Sequence, residues 1–294
     1  MKTIITNIFK RIACHYLCQN LKTNMRFISF LFFAILFFSC SPNNVTVDAS
    51  LDKFFKEAKV EGTFAIFNNN TGQFTVHNLN RYKDSAFLPA STFKIVNSLI
   101  GLQTGRIENE KMVIKWDGVV RQFPAWNKDL NMYEAFRASA VPYYQEVARR
   151  IGKDTMQFWL DSLAYGTKKI TTAIDTFWLD HSLKITPDEQ LGLVKNLYFN
   201  SLPFHRINQE IVKKAMLFED RPEYKLSYKT GWAFYDDVHK KHIGWVVGWI
   251  EENQHPYFFV LNMETKDSTV DLKEARMIAL KNILTQLNFF KGKR

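Results

Sequence analysis

The sequence predicts an α+β protein: an antiparallel β-sheet flanked by N- and C-terminal helices, with a helical lobe inserted between its strands. Three observations predict it. Segments near both ends of the body alternate like strands, the long middle stretch has mostly helical periodicity, and the last segment is an amphipathic helix. Strands, then helices, then strands again fit a sheet with terminal helices packed on it and a separate lobe. The 294 residues suffice for one large domain or two modest ones, and an apolar share of 46%, with 15% aromatic residues, supplies a sizeable core.

Taken in order, residues 49–58 form a short amphipathic helix. Gly62 to Asn68 and Gln73 to His77 alternate like strands and are joined by the turn-rich Asn69-Asn70-Thr71-Gly72, which makes a hairpin. A helix starts near Ser91, and residues 92–220 are mostly helical in pattern, punctuated by Pro142, Pro187 and Pro203. Lys225 to Phe234, His242 to Glu251 and Tyr257 to Thr265 are strands rich in Trp, Tyr, Val and Phe, and Lys273 to Phe289 is the closing helix. Repeats, low-complexity tracts and linkers are absent from the sequence.

Ahead of this body lies a leader, residues 1–40. From Arg26 a positive charge is followed by about a dozen apolar residues ending in Ser39-Cys40, and polar Ser41-Pro42-Asn43-Asn44 follows at once. The apolar run is too short to span a bilayer comfortably and reads as a secretory signal segment over 25–40. Met25 is a candidate start, with residues 1–24 an upstream extension, and residues 41–294 form the functional domain.

The formal charge is +10. Five of the 39 basic residues (Lys2, Lys10, Arg11, Lys22 and Arg26) fall in the leader, which has no acid, leaving 34 basic against 29 acidic residues in the body. That mild excess is spread along the chain and forms no basic stripe, so a nucleic-acid partner is not expected. The cysteines are Cys14, Cys18 and Cys40. The body therefore has no disulfide, thiol nucleophile or cysteine metal site. His239 and His242 sit three apart with lysines between them and read as a surface turn, and no metal site is expected.

The chemistry lies in three short motifs. In Ser91-Thr92-Phe93-Lys94, at a helix N-terminus, residues three apart share a face, so Lys94 can stand beside the Ser91 hydroxyl. An unassisted serine is a weak nucleophile and needs such a base. The helix start also offers backbone N–H groups to a developing oxyanion. Lys229-Thr230-Gly231 lies in an aromatic strand: the lysine and threonine can bind a carboxylate, and the glycine lets a ligand approach the backbone. Ser139-Ala140-Val141 brings a second hydroxyl, able to return a proton to a leaving nitrogen. Each motif alone is weak, since a capping serine, an edge-strand lysine and a helix-end serine are common. An S-x-x-K followed by K-T-G is the signature of penicillin-recognising serine enzymes.

With these motifs in this order the body, from about Gly62 to Leu287, resembles the class D β-lactamases, the oxacillinases. Ser91–Lys94 is similar to that family's nucleophile motif, Ser139-Ala140-Val141 to its Ser-x-Val, and Tyr165-Gly166-Thr167 to its Tyr-Gly-Asn. Phe177-Trp178-Leu179 resembles the segment carrying its active-site tryptophan. The Gly244-Trp245 and Gly248-Trp249 pairs also match, and Arg276 falls near its carboxylate-binding arginine. Thr167 departs from the usual Asn, and Trp232 is an aromatic variant beside the substrate cleft.

The resemblance implies a β-lactamase/transpeptidase-like fold and a serine β-lactamase that confers antibiotic resistance. Lys94 would be carboxylated by CO₂ or bicarbonate, the only cofactor implied. Burial against Phe93, Val141, Trp178 and Leu179 would favour the neutral amine that takes up CO₂, and the Trp178 indole would hydrogen-bond the carbamate. Ser91 would be acylated, Ser139 would pass a proton, and Thr230 and Arg276 would hold the drug's carboxylate, with Lys229 adding positive field. Gly231 and Trp232 would line the cleft. Ser39-Cys40 resembles a lipoprotein cleavage site, so Cys40 is a candidate lipid attachment point on a periplasmic enzyme. The partner is a small β-lactam, and the protein is a monomer or a homodimer. The alternatives are a penicillin sensor or a transpeptidase-type penicillin-binding protein, which acylate but deacylate slowly, and a non-enzymatic lipoprotein that reuses the fold.

Overall fold

The computed structural model describes residues 44–180, 182–236 and 241–293. The leader, including the signal segment and Cys40, and His239 lie outside the described residues. Residues 44–294 form one compact unit. The strands are β1 (Val45–Val47), β2 (Glu61–Asn68), β3 (Gln73–His77), β4 (Val113–Ile114), β5 (Leu130–Asn131), β6 (Leu217–Asp220), β7 (Lys225–Asp236), β8 (Lys241–Glu252) and β9 (His255–Thr265). Seven of them make one sheet in the order β1-β3-β2-β9-β8-β7-β6, and β4 and β5 form a separate ribbon. The sheet is antiparallel except at one end, where β1 runs parallel to β3. Parallel neighbours need a crossover. The helical turn Ala49–Leu51, the helix Asp52–Glu57 and β2 supply it.

The two faces of the sheet follow from its period of two. Phe259, Leu261 and Met263 of β9 turn to one side and pack with Phe54 and Phe55 of the first helix and Leu280, Ile283 and Leu284 of the C-terminal helix, Leu272–Gln286. Phe258 and Val260 turn to the other side, with Val247 and Trp245 of β8, and meet the helical lobe. At the lobe's centre runs the helix Lys94–Gln103, buried continuously from Lys94 to Leu102. Its buried polar residues Asn97 and Ser98 both hydrogen-bond to Tyr144, so the helix can sit inside the core. Local signals set its neighbours. Asn131 and Glu134 form a reciprocal capping box before Met132–Arg137, and Thr186 and Glu189 do so before Pro187–Tyr198, with Pro187 in the first turn.

The expected elements are present, with two corrections. The middle is less helical than its periodicity suggests: the described residues of 104–131 and 163–186 contain no α-helix. These segments cover the lobe through single side chains, such as Ile107, Tyr165, Ile170 and Phe177, whose spacing mimics a helical stripe. His242 is not in a surface turn. It lies in β8 with its ring 4.5 Å from that of Phe234 and 5.9 Å from that of Trp232.

Gly166 is needed where it stands. Its φ is +50°, and a Cβ there would collide with the Lys184 carbonyl. Gly166→Ala therefore combines left-handed strain with a backbone clash. It is expected to lower stability by roughly 2–4 kcal/mol, read as a drop in denaturant midpoint.

Candidate active site

Ser91 sits in a 3₁₀ turn, Ala90–Phe93, that runs straight into the helix beginning at Lys94. The turn is tied down from four directions. Ala90 N–H donates to the Trp178 carbonyl at 3.1 Å. The Trp245 indole N–H donates to the Leu88 carbonyl at 3.0 Å. Gln190 Nε2 donates to Thr92 Oγ1 at 2.7 Å, and Thr92 Oγ1 donates to the Pro89 carbonyl at 2.7 Å. These ties hold Ala90 at a φ of +50°, a sparsely populated conformation for a residue with a Cβ. Ser139 is held similarly, at a φ of +53°, where the chain turns between two helices. The Trp126 indole fixes that corner by donating to the Ala138 carbonyl at 3.0 Å.

The two motif lysines enter the same cluster. Lys94 Nζ donates to Ser91 Oγ at 2.8 Å. Lys229 Nζ donates to Ser139 Oγ at 3.0 Å and to the Thr230 carbonyl at 2.9 Å. Lys94 is fully buried, with the Tyr144 ring centroid 5.5 Å from Nζ. Burial pulls its pKa down from 10.5 to about 7. Burial also pulls Lys229 well down, and the nearby charges of Lys94 and Arg276 add to the effect. Among the described residues no carboxylate pairs with either amine. Arg276 is buried as well, its pKa lowered to about 10 by burial, and its guanidinium donates to the Gly231 carbonyl. Three basic groups, of which only Arg276 has a nearby carboxylate, Asp271, make a site that favours an anion and the neutral form of the amine beside Ser91.

Gly231 faces the turn that carries Ser91. A Cβ there would lie 3.1 Å from the Pro89 carbonyl and 3.2 Å from Thr92 Cγ2. By strand alternation Lys229 and Gly231 face the lobe, while Thr230 and Trp232 lie on the face toward the C-terminal helix. Trp232 is partly buried among that face's apolar residues. β7 pairs with β8 along its length but with β6 only at Lys225–Ser227, so Lys229–Trp232 have an open outer edge. Trp178 is fully buried, stacked on Phe93 with centroids 5.4 Å apart, and its indole N–H has no partner. Val141 and Leu179 are partly buried at the ends of their motifs.

The structure thus brings Ser91, Lys94, Ser139 and Lys229 into one hydrogen-bonded cluster, with Gly231 and Arg276 attached through backbone. Thr167 is not in that cluster: its hydroxyl accepts from Lys184 N–H at 3.0 Å and its N–H donates to the Lys184 carbonyl at 2.8 Å, closing a loop. Tyr144, Gln190 and Trp126 support the cluster and went unnoticed in the sequence. Their only signal is long-range contact, which no local spacing carries. A cavity of about 380 Å³ lies beside the cluster, between Trp116 and the helix Val141–Ile151, and its lining includes none of the four clustered residues.

Residues 57–285 match the family model for the penicillin binding protein transpeptidase domain. The chain is 40% identical to β-lactamase OXA-48 of Klebsiella pneumoniae over 237 residues, 81% of this chain and 87% of that protein. It is 35% identical to β-lactamase OXA-5 of Pseudomonas aeruginosa over 272 residues, covering 92% and 98%. Among solved structures, the class D β-lactamase FUS-1 of Fusobacterium nucleatum superimposes with a TM-score of 0.78 at 36% identity, covering 84% of this chain and all of that one. The C-terminal domain of the Bacillus licheniformis BlaR penicillin-receptor does so with 0.79 at 29% identity, covering 85% and 98%.

The depressed Lys94 pKa fixes the sign of the pH dependence. The amine accepts a proton from Ser91 only when neutral, so acylation should rise with pH through about 7 and be lost below it. Rates of single-turnover acylation between pH 5.5 and 9 should show that limb; a flat profile contradicts the assignment.

Proposed function

The chain belongs to the class D β-lactamase family and is a serine β-lactamase, and from that premise we propose how its own residues carry the hydrolysis. Ser91 Oγ attacks the lactam carbonyl and gives its proton to the Lys94 side chain. The lactam C–N bond then breaks, and the drug is left as an ester on Ser91. Backbone N–H groups of Ser91 and of a β7 residue near Trp232 steady the oxyanion. Ser139, held by Lys229, passes a proton to the departing ring nitrogen. The drug's carboxylate lies along the open edge of β7, toward Thr230 and Arg276, in the positive field of Lys229. Water then cleaves the ester and frees Ser91. The observation that carries this reading is the 2.8 Å hydrogen bond between Ser91 and a buried lysine with no carboxylate partner.

The site also suits a carbamate on Lys94, formed from CO₂. A neutral buried amine is the reactive form, and the unpartnered buried indole N–H of Trp178 is a donor in need of an acceptor. Such a group would supply a general base for both half-reactions. Export to the periplasm through the segment 25–40, with lipid attachment at Cys40, belongs to the same proposal. Palmitate labelling of the wild type that is absent from Cys40→Ser tests the attachment.

Ser91→Ala should lower turnover of a chromogenic cephalosporin by at least about a thousandfold while leaving the melting temperature near that of wild type. Substantial residual hydrolysis would remove Ser91 from the nucleophile role. Added bicarbonate should raise wild-type activity in CO₂-stripped buffer; indifference to it would sink the carbamate. The likeness to a penicillin-receptor domain favours one second reading, in which the chain acylates and holds the drug. A single stoichiometric burst that leaves labelled protein would select that reading.

A further inference from the structure

The cavity of about 380 Å³ beside the catalytic cluster takes part in no step of the proposed hydrolysis. One wall is the β4–β5 ribbon, where Ile114 and Leu130 pair across the strands and pack against the lobe. The other is the helix Val141–Ile151, which contributes Pro142 and Tyr143. Trp116 and Trp126 complete an aromatic lining. A volume of that order, with apolar walls and a few polar groups, suits a small organic ligand. The charges around the cavity do not balance. Both lining carboxylates are already engaged: Asp117 pairs with Arg121 at 2.6 Å, and Glu146 pairs with Arg149 at 3.0 Å and with Arg150 at 2.8 Å. Exposed Lys115 and Lys128 line the cavity as well, and among the described residues no carboxylate pairs with either. Four lining cations therefore face two carboxylates.

Two of the lining side chains also touch what holds the catalytic cluster. Trp126 donates its indole N–H to the Ala138 carbonyl at 3.0 Å, one residue before Ser139. Tyr143 packs edge-to-face on Tyr144 with centroids 5.3 Å apart, and the Tyr144 centroid lies 5.5 Å from Lys94 Nζ. Pressure on Trp126 or Tyr143 from inside the cavity is thus one contact away from the residues that fix Ser139 and cover Lys94.

We propose that this cavity is a second binding site, separate from the β-lactam site, for a small organic anion with an aromatic body, and that its occupant modulates turnover. Lys115 and Lys128 draw the anionic group, and the aromatic body packs on Trp116, Trp126 and Tyr143. Either half alone is weak: exposed lysines bind a simple anion poorly in water, and an aromatic wall alone does not select charge. Together they favour a ligand that is negative at one end and apolar along its body. The binding site does not depend on the β-lactamase reading; its effect on turnover does.

The probe is naphthalene-2-sulfonate, with naphthalene-2-sulfonamide as its neutral counterpart. Each is titrated by calorimetry into wild type, a Lys115→Gln/Lys128→Gln double variant, and Val113→Trp, which adds bulk at an exposed lining position. Melting temperatures confirm folding. Wild type should bind the sulfonate saturably and the sulfonamide at least about tenfold more weakly. Both variants should bind the sulfonate at least about tenfold more weakly than wild type, with kcat and KM for benzylpenicillin within about twofold of wild type. Saturating sulfonate should lower the wild-type kcat for benzylpenicillin by at least about twofold, and raising the penicillin concentration should not restore it. Absence of saturable binding, or sulfonate binding equally tight in the variants, overturns the second site. Inhibition that excess penicillin fully relieves overturns the modulation, because it places the sulfonate in the β-lactam site. Wild-type protein that binds the sulfonate but turns over no penicillin would instead overturn the β-lactamase reading and leave the second site standing, so the failures are distinguishable.

Discussion

A lysine stripped of water and given no countercharge is an expensive group to bury, and the helix that begins at Lys94 places one at the centre of the molecule. Lowering its pKa from 10.5 to about 7 costs about 4 kcal/mol at neutral pH. The sign is destabilising: the unfolded chain binds the proton that the folded site gives up, so stability rises with pH between about 7 and 10.5. The surrounding core offsets that cost. Ile95, Val96, Leu99 and Ile100 on the same helix are wholly buried, each contributing about 1.5–3 kcal/mol by burial. What the cost yields is a neutral nitrogen 2.8 Å from a hydroxyl.

The rest of the architecture keeps that pair in register with β7. Ser91 belongs to the lobe and Gly231 to the sheet, and they meet because Gly231 lacks the atom that would crowd Pro89 and Thr92. Trp245 spans the two parts from β8, with its ring buried and its N–H spent on the Leu88 carbonyl. Two residues beside the reacting groups, Ala90 and Ser139, sit at positive φ, and each is held by hydrogen bonds from distant elements. Strain at such positions persists only where the surroundings over-determine them. A shift of the Trp178 or Trp126 segment would therefore reach Ser91 or Ser139 directly.

Much of this was legible in the sequence because it is local. Strand alternation marked β2, β3 and β7 to β9, and the spacing of Ser91 and Lys94 gave their shared face. Ser139 and Lys229 were each singled out as site residues, but their hydrogen bond was not foreseen, since 90 residues separate them. Elsewhere the pattern misled. Apolar residues in 104–131 and 163–186 recur near helical spacing, yet each anchors an irregular segment to the lobe. His242 looked like a turn residue among lysines, but cross-strand pairing with Phe234 places it in β8. Gln190, Tyr144 and Trp126 carried no signal at all, because their roles exist only once helices far apart in the chain have packed. Arg276 shows a different limit. Its position was anticipated, but its bond to the Gly231 carbonyl, which ties the C-terminal helix to the substrate strand, arises from tertiary contact.

The central claim is that burial lowers the Lys94 pKa to about 7, so that a large share of the amine is neutral near neutral pH. Selective isotopic labelling of lysine, with Lys94→Ala to assign the signal, would let NMR follow Nζ of Lys94 through a titration in CO₂-free buffer. The account predicts a midpoint near 7. A midpoint near 10.5, the value of a solvated lysine, would mean that the amine stays protonated beside Ser91 and that some other group must take the serine proton.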